Sequence, residues 1–259
     1  MPRIVDQMEN LTTGNSNFKF SAVNVGRLRQ TEYTLATIAV DLSGSVEAFK
    51  KELENALQMM YAALKKSPRA NNLMVRLIGF SSQFPDKGVC EIHGFKLLGE
   101  IHPDQIQLPR PAAGTPLFDA VLNGVEVSNA YAKELDKGDF LVNSVGVAIT
   151  DGADNESFFK PKRIAEATKE GIQEEYLESN LQILIGINPG AFANGYSAPT
   201  NGELLEKFKN EAGLDHYRSV EDATPNNLAK MAGFVSHSVS SQSQALGSGG
   251  KSQAIAPTI

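Results

Sequence analysis

The chain has 259 residues, 41% hydrophobic and 21% charged, with a formal net charge of −6 at pH 7. A folded chain of this mass buries roughly 73% of the surface that its unfolded form exposes, so a core forms without covalent staples. The excess of acid, with basic residues gathered no further than pairs such as Lys50-Lys51, Lys65-Lys66 and Lys162-Arg163, excludes a phosphate-backbone footprint and with it nucleic acid as a partner.

Residues 1–10 carry Asp6 and Glu9 and no apolar region of signal-peptide length, and no apolar run in the chain approaches the ~18 residues of a membrane span. Residues 1–31 read as an N-terminal extension in which Phe18 and Phe20 alternate as a short added strand does. Residues 33–40 are apolar and β-branched, predicting a buried strand. From Val46 the period changes: Val46, Phe49, Leu53, Ala56, Leu57, Met60 and Leu64 recur at three and four, the spacing of an amphipathic helix. Residues 73–80 are a second buried run. The single cysteine, Cys90, can make neither an internal disulfide nor a Cys-based zinc site and reads as a reduced, packed thiol in a reducing compartment. Residues 91–98 are a weaker strand, and 117–135 a helix with Leu117, Val121, Gly124, Val125, Ser128, Ala132 and Leu135 on one face.

Residues 144–150 form the next strand. Pro161 stands where a first-turn proline is welcome and opens a helix to about Ser179, with a strand at 181–187. Then come a helix at 203–212, a short strand at 216–220, and a last helix started by Thr224-Pro225. Residues 241–259 hold 4 Ser, 3 Gly and 3 Gln and no acid, which predicts a flexible tail. Strands alternating with helices of ten or more residues imply right-handed crossovers, so residues 32–240 are expected to form one doubly wound α/β domain with a mostly parallel sheet and helices on both faces.

Three motifs stand at strand or helix ends. Asp41-Leu42-Ser43-Gly44-Ser45 follows the first buried strand; Gly114-Thr115-Pro116 precedes the helix at 117; Thr150-Asp151-Gly152 ends the strand at 144–150. Alone, the first is also what a capped helix start looks like, with Gly44 supplying turn freedom. In a doubly wound sheet of order 3-2-1-4-5-6, the first and fourth strands are neighbours and the crevice at their carboxyl ends opens between them. Asp41, Ser43, Ser45 and Asp151 then converge, and Thr115 can reach the same crevice. Five oxygen donors with no His or Cys make a hard site suited to Mg²⁺ or Mn²⁺ and poor for zinc or copper.

These motifs, in this order, closely resemble the von Willebrand factor A (vWA) family with its metal-ion-dependent adhesion site. The resemblance spans about residues 33–240 and implies a Rossmann-like vWA fold. It also implies that Ser43, Ser45 and Thr115 touch the metal through hydroxyls, that Asp41 and Asp151 act directly or through water, and that a sixth position is left for a partner's carboxylate. Residues 234–241, Phe-Val-Ser-His-Ser-Val-Ser-Ser, resemble the helix end of intracellular bacterial A domains of the TerY-like group. That likeness implies a cytoplasmic adaptor or scaffold in a bacterial or phage stress, defence or signalling system, partnered by a kinase and phosphatase or by a MoxR-type ATPase.

Other polar residues carry two readings. Asp119 either orients a metal-bound water or complements the helix dipole. Asp154, Asn155 and Glu156 read as a solvated rim loop, with tuning of ligand choice as the alternative. His93, His102, His216 and His237 have no metal spacing and read as structural or exposed. The chain has no Walker loop, no GxGxxG after a strand, no GxSxG and no HExxH, and the first strand lacks a second nearby carboxylate for a two-metal or aspartyl-phosphate site. The expectation is therefore a non-enzymatic, metal-dependent protein-interaction module, with a metal-dependent phosphohydrolase-like enzyme as the alternative.

Overall fold

In the computed structural model, which describes residues 8–188 and 199–247, two strands form within the predicted N-terminal extension. β1 (Met8–Thr12) and β2 (Lys19–Val23) pair antiparallel. Phe18, Phe20 and Ala22 are buried, so the alternation of the two phenylalanines marks a real strand edge, whereas β1 is half-exposed and has no comparable pattern. β3 (Glu32–Asp41) is buried from Tyr33 onward, as a run of apolar and β-branched residues requires. A 3₁₀ segment at Gly44–Phe49 leads into α1 (Lys50–Leu64), followed by β4 (Leu73–Phe80), β5 (Val89–Leu97), α2 (Leu117–Asp136) and β6 (Leu141–Thr150). The chain continues through α3 (Pro161–Gln173), β7 (Ser179–Ile187), α4 (Asn201–Ala212), β8 (His216–Val220) and α5 (Pro225–Gly247).

The eight strands make one sheet of order β1-β2-β5-β4-β3-β6-β7-β8. The six strands expected from sequence thus take the doubly wound order. β4, β3, β6, β7 and β8 run parallel, while β5 returns antiparallel to β4. No helix separates β4 from β5, so only a tight reversal is open to the chain, and Gly88 supplies it with φ of 75°. Alternate residues of the central strands feed two cores. Ala36, Ile38 and Val40 pack with α1 and α5; Leu35 and Ala39 pack with α2, α3, α4 and the N-terminal hairpin.

Two boundaries differ from the sequence reading. α3 ends at Gln173, because Glu175 turns left-handed (φ 62°) and Leu177 folds into the core before β7. The expected flexible tail from 241 is corrected at its start, since α5 continues to Gly247. Leu228, Met231, Val235, Ser238, Val239 and Gln242 repeat at three and four along one buried face, and the Asn143 Nδ2 donates to the Gln242 main-chain oxygen at 2.9 Å. Serine and glutamine look linker-like by composition, but here their backbone is already helical and their side chains pack. Residues 1–7 and 248–259 lie outside the described residues. No helix among the described residues is long and apolar enough to cross a membrane.

Candidate metal centre

The parallel register brings β3 and β6 to the same edge of the sheet, Val40 opposite Ile149, so that Asp41 and Thr150 end the two strands side by side. Asp41 is 1% exposed, and both its carboxylate oxygens are engaged. Oδ1 accepts from the Ser43 amide at 2.8 Å, closing the turn, and Oδ2 accepts from Thr150 Oγ1 at 2.6 Å. The chain of oxygens continues outward: Ser43 Oγ lies 3.2 Å from Ser45 Oγ, and Ser45 Oγ donates to Asp151 Oδ1 at 2.8 Å. Asp41 and Ser43 form a buried floor, while Ser45 is exposed and Asp151 half-exposed at the mouth.

Thr115 arrives from a different element. The loop before α2 lies against the 41–45 turn through two main-chain bonds, Ala112 N to Leu42 O at 2.9 Å and Gly44 N to Ala113 O at 3.1 Å. Ala113 is held left-handed, with φ of 59°, a conformation costly for a residue with a Cβ and typical of functional loops. On the opposite side Ser82 binds Gly114 in both directions, its amide donating to the Gly114 oxygen and its hydroxyl accepting from the Gly114 amide. An added Cβ at Gly114 would stand 2.4 Å from Glu156 Cγ, an exposed side chain that can move, and 2.8 Å from Asn155 Oδ1, which the Thr115 amide holds in place. All five residues singled out in the sequence therefore lie on two abutting loops and one strand end. Thr115 joins the others through backbone packing, and the other four through a continuous hydrogen-bond chain.

The loop after β6 faces solvent at Asn155 and Glu156, as expected, but it also anchors the start of α2. α2 has no side-chain cap of its own, with Pro116 at the N-cap, so its first free amides need outside acceptors. Asp154 Oδ1 accepts from Phe118 N at 3.2 Å and Ser157 Oγ from Asp119 N at 3.1 Å. Asn155 grips Thr115 both ways, Oδ1 accepting from its amide at 2.7 Å and its own amide donating to the Thr115 oxygen at 3.1 Å. Asp119 stands in the first turn of α2, as the dipole reading has it, and does more: its two oxygens accept from the Phe158 and Phe159 amides, each at 2.8 Å, which makes it a clamp on this loop. The supporting roles of Thr150, Asn155 and Ser82 were missed. The only sequence signal for them was position, each lying at or just past the carboxyl end of a strand.

Burial drives the electrostatics. It pushes the Asp41 carboxyl up to about 6 against the hydrogen bonds from Thr150 and Ser43, with the Asp151 charge adding to the rise. Burial raises Asp151 as well, opposed by Ser45. Neither acid has an ion-pair partner among the described residues. No group of three His, Cys, Asp or Glu side chains placed to hold a metal ion occurs among those residues; the five residues singled out offer three hydroxyls and two carboxylates. That set fits a hard divalent cation and not a thiolate- or imidazole-seeking one. His93 lies inside the fold, bonded to Tyr61 and the Gly94 oxygen, away from these residues in sequence and element.

No protein-family model and no curated protein matches the sequence. Solved structures do. The pilus adhesin SpaC of Lactobacillus rhamnosus GG, in its open conformation, aligns over 90% of this chain with a TM-score of 0.60 at 12% identity. Proximal thread matrix protein 1 of the mussel byssus aligns over 81% with a TM-score of 0.55 at 17% identity. The PilB minor pilin of Streptococcus sanguinis, as its D319A mutant, aligns over 86% with a TM-score of 0.55 at 14% identity. This chain spans 34%, 49% and 65% of those three chains, respectively. At such identities the likeness shows the fold, a vWA-like α/β domain.

Proposed function

We propose that the chain is a protein-interaction domain that binds one divalent cation, Mg²⁺ or Mn²⁺, through Asp41, Ser43, Ser45, Thr115 and Asp151, and presents it to an acidic side chain of a partner. The observation that carries this reading is the graded cluster itself: a buried acid and hydroxyl at its floor, an exposed hydroxyl and half-exposed acid at its mouth, and no ion-pair partner for either acid among the described residues. A bound dication would supply positive field toward the open side, where three of five donors are neutral. Asp41 orders the turn through the Ser43 amide and is itself fixed by Thr150; Asn155 holds Thr115, and Ser82 holds the neighbouring Gly114. The names of the structural neighbours, an adhesin, a minor pilin and a matrix protein, agree with an interaction role.

Nothing in the site favours the phosphohydrolase alternative. A nucleophilic carboxylate must meet its substrate, and Asp41 is enclosed with both oxygens engaged. A cytoplasmic adaptor or scaffold role, in a bacterial or phage stress, defence or signalling system beside a kinase and phosphatase or a MoxR-type ATPase, remains part of this proposal on the sequence likeness of residues 234–241. The test is calorimetry with MgCl₂ and MnCl₂. One ion should bind to the unaltered chain and none to Asp41→Asn, which keeps the shape of the turn but removes the buried charge; unchanged binding in that variant would place the ion elsewhere.

A further inference from the structure

α4 is tied to the centre. Asn201 Nδ2 donates to the Asp151 main-chain oxygen at 3.0 Å, and Thr200 with Glu203 forms a reciprocal cap that fixes the helix start. From that point α4, the start of α2 and the loop after β6 enclose a groove of about 290 Å³. Leu117, Phe118, Leu204 and Phe208 line it, the rings of Phe118 and Phe208 stacked at 4.5 Å. None of the five centre residues lines the groove, but its wall neighbours them along the chain: Leu117 follows Thr115 by two residues and Ala153 follows Asp151 by two.

The charges around the groove are unequal. Asp154 is occupied by the Phe118 amide and the Ser157 hydroxyl, and Lys207 and Glu211 stand 3.8 Å apart as a pair. Lys160 is exposed and has no acid within ion-pair distance among the described residues. An apolar wall beside an unmatched positive charge suits an acidic segment carrying a large apolar side chain. A second copy of this chain, at −6, would meet long-range repulsion.

We propose that one acidic segment of a partner protein uses both features, its carboxylate at the centre and a neighbouring large apolar side chain in the groove, with Lys160 facing a second acid of the segment; this rests on the reading of the centre given above. A carboxylate alone offers little discrimination among the many acidic side chains in a cell. An apolar anchor seated in an adjacent pocket supplies it, as buried anchors dominate interface energetics generally.

The probe is an array of nine-residue peptides, each with one Leu and two Glu at varied separations, beside matched peptides with Gln for either Glu or Ala for Leu. It is read with the full chain in Mg²⁺ or in EDTA. Magnesium-dependent binding should require both kinds of residue at a preferred separation, fall about tenfold in Leu204→Glu and more modestly in Lys160→Glu, and vanish in Asp41→Asn. Lys160→Glu, at an exposed site, keeps the test alive should Leu204→Glu misfold by its melting curve. Magnesium-dependent binding that ignores the Leu and both groove variants would overturn the groove while sparing the centre. Binding that needs the Leu and Leu204 but survives EDTA and Asp41→Asn would instead sink the reading of the centre and the coupled segment with it. No binding by any peptide rejects the stated chemistry. Sedimentation gives the remaining outcomes: self-association lost in Leu204→Glu would hand the groove to a second copy, and peptide binding gained only on removal of residues 248–259 would hand it to the chain itself.

Discussion

At the residue scale, position in the fold decides what a titratable group does. His93 on β5 faces Tyr61 of α1, whose ring stands edge-on at 5.8 Å. The Gly94 oxygen can only accept, so His93 Nδ1 carries the proton, Nε2 is bare, and the Tyr61 hydroxyl donates to it at 2.9 Å. Burial holds His93 down at about 4, from 6.5, with the Gly94 bond opposing and Lys96 and Arg76 assisting against Glu91. Burial also keeps the Tyr61 hydroxyl protonated well above its ordinary range. Below pH 6.5 the unfolded chain takes up a proton that the folded chain refuses until about pH 4. The His93 contribution to stability is therefore complete above 6.5 and declines as pH falls through that window, by about 2 to 3 kcal/mol at pH 4.5. Urea unfolding at pH 7.5 and 4.5 should show the unaltered chain losing that much more than His93→Gln; equal losses would mean that His93 is not held neutral.

Elements are fixed here by what their ends and faces find. α2 lacks a cap of its own and is completed by the loop that follows β6, so the helix and Thr115 are built as one unit. α5 is the clearest case of composition misleading. Its last turns are rich in Ser and Gln, yet Gln242 and Ser243 are 1% and 0% exposed. A chain ending at 240 should be less stable than one ending at Gly247 by about 1 to 3 kcal/mol, because Asn143 Nδ2 loses its buried acceptor. Thermal melts of the two would measure it, and identical melts would mean that the last turns of α5 contribute nothing.

For the whole molecule, the two apolar layers close around the sheet without the centre, which occupies only its carboxyl edge. The fold should therefore persist in EDTA. A bound ion adds stability by mass action, about 2.7 kcal/mol at a hundredfold excess over Kd, which for a domain of this size raises Tm by about 5 to 10 °C. Scanning the chain in Mg²⁺ and in EDTA checks both statements. Unfolding by the chelator would contradict the first, and an unmoved Tm at saturating Mg²⁺ would count against the centre.

The order of strands and helices was legible in the sequence because burial on two faces leaves long apolar runs and amphipathic helices leave a three-and-four period, both local signals. Those alternations imply the doubly wound order, and that order alone sets Asp41 and Asp151 at neighbouring strand ends. The antiparallel turn of β5, β1, the extent of α5 and the roles of Thr150, Asn155, Asp119 and Asn201 were not legible. The four polar residues depend on partners distant in sequence: Asn155 meets Thr115 40 positions away, and Asn201 meets Asp151 50 away. Hydrogen bonding carries no periodicity along the chain, so only the tertiary structure could decide which polar residues support the centre and which face water.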